Sequence, residues 1–138
     1  MEIRYTTRST DRKKNLTTMR REGNIPAVLY VKGKSQNITV IGDDYQAALR
    51  KMSKGSLPTT VFQLKDEEGN VTKAIVKDIQ YHITSYRIVH LDFLELKEDT
   101  FVTTNVPIRL LNEMHCSGVK LGGVLRPVIR NVKVRCLP

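Results

Sequence analysis

The sequence predicts a mostly β fold with short helices, built as an antiparallel sheet or barrel. Three observations predict it. Runs rich in Val, Ile, Thr and Tyr recur along the chain; turn residues punctuate them at short intervals; and only one stretch has a clear helical period. At 138 residues, with 40% hydrophobic and 27% charged side chains, the chain has ordinary globular composition and room for one compact domain plus an appendage.

Residues 2–9 (Glu-Ile-Arg-Tyr-Thr-Thr-Arg-Ser) read as a first strand. Residues 10–24 are basic and hydroxyl-rich with only Leu16 and Met19 as apolar anchors, so they read as a loop with at most a short helical turn before Gly23. The runs 27–31 and 37–41 read as a hairpin with a five-residue loop at 32–36. Asp43 is the expected cap of a helix reaching about Lys54, because Tyr45, Ala48, Leu49 and Met52 recur at helical spacing and Gly55 supplies a stop. Arg50, Lys51 and Lys54 then offset the negative pole of that helix. Residues 59–65, 71–81 and 86–96 read as strands separated by an acidic Gly turn at 66–70 and a turn at 82–85. Further strands are expected at 101–111 and 124–134, joined by a Gly-rich link.

Charge is distributed unevenly. Residues 1–54 carry +7, residues 55–98 carry −2 and residues 99–138 carry +4, within a net charge of +9. Arg8, Arg12, Lys13, Lys14, Arg20 and Arg21 fall within fourteen positions with Asp11 as the single acid among them. Such a block points to a polyanionic partner, with nucleic acid foremost. The acidic turn at 66–70 is expected to face away from that partner.

The Arg21–Pro26 turn delivers Tyr30 to the next strand, where it stacks or hydrogen-bonds on a ligand, or else packs in the core. In Ile88-Val89-His90-Leu91-Asp92-Phe93 the strand period puts His90 and Asp92 on one face and Leu91 and Phe93 on the other. Two readings stand for that pair: recognition of ribose hydroxyls and base amino groups, or the wet side of a half-buried strand.

Other function classes lack their machinery. No glycine-rich phosphate loop, dinucleotide fingerprint or nucleophile motif is present, so catalysis, cofactors and small-molecule substrates are not expected. Cys116 and Cys136 lie twenty positions apart without paired knuckles, which argues for reduced thiols and against a metal site. With neither a signal pattern nor an apolar run of membrane-spanning length, a cytosolic location is expected and a membrane partner is not.

Four motifs in order carry a resemblance: Met19-Arg-Arg-Glu-Gly-Asn-Ile-Pro-Ala-Val-Leu-Tyr30, Lys77-Asp-Ile-Gln-Tyr-His82, His90-Leu-Asp-Phe93 and Gly118-Val-Lys-Leu-Gly-Gly-Val-Leu125. Together they resemble the bacterial large-subunit ribosomal protein twenty-five family, which includes the general stress protein Ctc. The resemblance implies an N-terminal six-stranded antiparallel β-barrel over residues 1–97, followed by part of a second β-rich domain over residues 98–138. It further implies a non-enzymatic constituent of the large ribosomal subunit that binds 5S rRNA through a widened minor groove, beside other large-subunit components. The RNA-binding residues it implies are Arg8, Arg20, Tyr30, Gln80, His90 and Asp92, with Lys13, Lys14 and Arg21 beside them. A stress-related adaptor whose basic face binds an acidic protein is the alternative. The family's Gly-rich, Arg-bearing run ahead of Met19 is replaced here by Lys13-Lys-Asn-Leu-Thr-Thr18. The second domain is expected to be incomplete, because two-domain relatives continue beyond the point reached at Pro138.

Overall fold

The computed structural model describes residues 1–8, 13–31, 33–53 and 55–138, and for residues 13–15 and 31 the backbone alone. Six strands close a barrel: β1 (Glu2–Thr7), β2 (Asn24–Val31), β3 (Lys34–Ile41), β4 (Val61–Lys65), β5 (Val71–Tyr81) and β6 (Ile88–Glu95), in the order β1-β3-β2-β6-β5-β4. The expected antiparallel pairing holds at four seams, whereas β1 with β4 and β2 with β6 run parallel. Both parallel seams join strands distant in sequence, as parallel pairing requires.

Helix α1 (Lys13–Arg21) occupies the stretch that its poor apolar period marks as loop. Leu16 and Met19, three residues apart, are its partly buried anchors, and α1 packs against β2. Arg20 and Arg21 sit in its last turn, at the negative end of the helix dipole, and Gly23 follows with φ +86°. The 27–41 hairpin is tighter than expected. Val31 pairs with Lys34 and Gly33 has φ +78°, the geometry of a two-residue connection.

Helix α2 (Gly42–Lys51) starts directly from β3, with Ile41 at its cap position and no side-chain cap; Asp43 lies inside the first turn instead. Gly42 is required there, because a Cβ would collide with the carbonyl oxygen of Gly23. That contact fixes the end of α1 against the start of α2. Tyr45 and Ala48 are buried, and Leu49 and Met52 pack on the core from its edge.

The barrel interior is filled by alternate residues from every strand, with Phe62 at its centre: its ring stacks on Tyr45 at 6.1 Å and meets Phe93 edge-on at 6.2 Å. A 3-10 turn at Leu57–Thr59 shortens the expected strand before β4. Beyond β6, strands β7 (Val102–Pro107) and β8 (Asn131–Cys136) form a separate two-stranded antiparallel sheet. It touches the barrel side through Lys77 Nζ donating to the Thr103 carbonyl and Thr104 Oγ1 donating to the Pro58 carbonyl. The strand expected over 124–134 begins only at Asn131, after Pro127, which has no N–H for a ladder. A short helix α3 (Ser117–Lys120) lies in the Gly-rich link.

Candidate nucleic-acid interface

Strand β6 presents two different faces. Leu91 and Phe93 are fully buried, while His90 and Asp92 point outward at about one-fifth exposure. Register extends the outer face to both neighbours: Asp92 pairs with Val28 of β2 and with Asp78 of β5, and His90 pairs with Gln80. A bulge at Lys77 sets this up. Val76 pairs with Phe93 on the interior side, the extra residue Lys77 follows, and Asp78 then falls opposite Asp92 on the outside.

The face is linked by its own side chains. His90 Nδ1 lies 2.7 Å from Asp92 Oδ1, and the Tyr30 hydroxyl donates to Asp92 Oδ2 at 3.4 Å. Tyr30 is 39% exposed, so it belongs to this surface and not to the core. With Nδ1 turned to the carboxylate, Nε2 is the ring nitrogen left for a ligand.

Cations stand at the rim. Arg20 reaches from α1 to donate its Nε to the carbonyl oxygen of Val89, next to His90. Arg21 follows it, exposed. Arg8 lies at the other rim: its backbone N–H bonds Asn37 and its Nε bonds the Ile38 carbonyl. Because Asn37 pairs with Val28 and Val28 with Asp92, Arg8 lies three strands from β6 along one register row. The side chains of Lys13 and Lys14, and all of Asp11 and Arg12, lie outside the described residues. The acidic 66–70 turn enters β5 at the end opposite Tyr81, away from His90 and Gln80.

Three residues of this region escape the sequence reading. Asp78 looks like an ordinary polar strand position until the bulge brings it opposite Asp92. Tyr86 and Arg87 were expected in the strand, but β6 starts at Ile88 and Tyr86 adopts φ +53°. The available signal was the pairing of an aromatic with arginine beside a turn. Among the described residues no group of His, Cys, Asp and Glu could hold a metal, and no helix is long and apolar enough to cross a membrane.

The sequence profile of the Ribosomal L25p family matches residues 3–93, more than half of the chain. The chain belongs to the Ribosomal L25p family. The matched stretch runs from β1 into β6 and so contains the whole outer face just described. Over its full length the chain is also similar to the large ribosomal subunit proteins bL25 of Chlamydia abortus (50% identical), Chlamydia pneumoniae (51%) and Chlamydia trachomatis serovar L2 (49%), covering 75% of each relative. Family membership thus agrees with the motifs at Met19–Tyr30, Lys77–His82 and His90–Phe93, all within the matched stretch.

Proposed function

We propose that this chain, a structural constituent of the bacterial large ribosomal subunit in the cytoplasm and not an enzyme, binds 5S rRNA with the outer face of β2, β6 and β5. The observation that carries the reading is the attachment of Arg20 to the backbone beside His90, which joins the basic segment to the polar sheet face. Arg8, Lys13, Lys14, Arg20 and Arg21 supply affinity for phosphates. Tyr30, Gln80, His90 and Asp92 supply register.

The chemistry suits an RNA minor groove. That groove is wide and shallow and displays 2′-hydroxyls and base edges, which a slightly convex sheet can meet with side chains alone. An ionised Asp92 only accepts, so it selects hydroxyls and guanine amino groups and repels phosphate; Gln80 both donates and accepts. Phosphates are therefore held at the arginine rim while base and ribose edges meet the centre. The carboxylates Asp78 and Asp92 in mid-face also disfavour an acidic protein as the occupant. We assign the binding to residues 1–97, and residues 98–138 to part of a second β unit.

Titration of 5S rRNA with the full chain at stepped salt tests the electrostatic half. The logarithm of the binding constant should fall linearly with the logarithm of salt, by about 0.7–0.9 for each phosphate neutralised. Salt-insensitive affinity would contradict it.

A further inference from the structure

Beside the sheet face lies a concavity that the reading above does not use, a groove of about 750 Å³ between the end of α1, the start of β2 and the 82–87 loop. Its size is that of sites for small organic ligands. Arg20, Arg21 and Arg87 line it, and among the described residues no Asp or Glu does. Among the described residues none of these arginines is in an ion pair. Three guanidiniums with no ion pair among the described residues stand around one concavity and favour an occupant bearing negative charge, above all a phosphate, two of whose oxygens can accept from the paired N–H donors of a planar guanidinium.

Tyr86 lines the same groove at 79% exposure. It has the left-handed backbone conformation, φ +53°, which is unfavourable for a bulky side chain. Its ring takes no part in the hydrophobic core. An exposed aromatic ring amid guanidiniums is the composition of a base-stacking platform with phosphate clamps. His82 completes the wall: its Nδ1 accepts from the Ser85 N–H at 3.4 Å, which leaves Nε2–H as a donor. The groove is continuous with the sheet face through Arg20, which lines it and also bonds Val89.

We propose that this groove receives one unstacked nucleotide of the RNA held on the sheet face, its base against Tyr86 and its phosphates at Arg21 and Arg87. The inference rests on the reading that the sheet face binds RNA. A free nucleotide offers the same chemistry, so the test separates the two sources.

The test combines titration and base-reactivity probing of 5S rRNA with the full chain and two variants. Tyr86→Asn removes the ring while keeping a residue that tolerates left-handed backbone, and Tyr86→Phe keeps the ring. Wild type and Tyr86→Phe should bind alike and protect one unpaired base. Tyr86→Asn should bind about tenfold more weakly and lose that protection, with the protections made by the sheet face unchanged. Arg87→Ala should lower the salt slope by about one phosphate contact. Wild-type affinity and an unchanged protection pattern for Tyr86→Asn would overturn the proposal while leaving the RNA reading intact. Saturable binding of guanosine monophosphate that leaves the RNA titration unchanged would overturn it as well. A wild-type chain with no preference for 5S rRNA would instead defeat the underlying reading.

Discussion

Strands β6 (Ile-Val-His-Leu-Asp-Phe-Leu-Glu) and β8 (Asn-Val-Lys-Val-Arg-Cys) share an alternating apolar and polar pattern, yet their apolar residues end in different places. Leu91 and Phe93 are fully buried, whereas Val132 of β8 is 44% exposed. In β6 both edges are paired and a closed interior lies behind, so alternation separates a core side from an outer polar side, the one proposed to bind RNA. In β8 the same alternation meets only β7, and two strands alone have no second layer to bury against. Among the described residues, Val102 is the sole buried hydrophobic residue beyond β6. Alternation thus specifies which side chains share a face, and topology decides what that face becomes.

Truncations to alanine in the two sheets give the sharpest contrast. Phe93→Ala removes the ring that meets Phe62 edge-on and should lower unfolding free energy by about 3–5 kcal/mol in denaturant titration. Val132→Ala should change it by less than about 1 kcal/mol. Similar losses at both positions would erase the distinction between the sheets.

Gly42→Ala probes how the barrel holds α1, the helix that carries Arg20. The added methyl pushes against the Gly23 carbonyl, so a loss of about 1–3 kcal/mol is expected. The loss should be accompanied by weaker RNA binding as Arg20 leaves Val89. A chain ending at residue 97 sharpens the comparison further: it should unfold cooperatively and keep its preference for 5S rRNA, since the outer face lies wholly within β2, β5 and β6. Loss of that preference would show that the second sheet takes part in recognition.

The smallest effect concerns acid stability. Arg4, bonded to Asp44 at 2.7 and 3.1 Å, holds that carboxyl below the usual carboxylate range. A carboxyl depressed in the folded state adds stability that is complete above its ordinary value, about 3.9, and is lost as pH falls through the lower folded value. Asp44→Asn should therefore differ slightly from wild type at neutral pH and converge with it in acid. Because Arg4 is exposed, the difference in unfolding midpoint should be barely measurable.

Much of the barrel was legible in the sequence because β5 and most of β6 carry unambiguous strand patterns with turn residues between them. The pairing of His90 with Asp92 on one face followed from the strand period alone. Helix α1 was not legible, since its anchors are only Leu16 and Met19 and its stability depends on packing against β2. The parallel seams and the Lys77 bulge depend on which strands become neighbours, which no local pattern encodes. Hence Asp78 was missed, and the left-handed Tyr86 was read as strand because its side chain is β-favouring.

The central claim is that the polar outer side of β6 reads a particular RNA groove while arginines at its rim hold the phosphates. Competition between 5S rRNA and an unrelated duplex RNA, measured for wild type, His90→Ala and Asp92→Ala at one salt concentration, tests it most directly. The account predicts that each variant keeps its grip on duplex RNA and loses about tenfold or more of its preference for 5S rRNA, the scale set by buried polar groups left unpaired. Wild-type preference in both variants would contradict it.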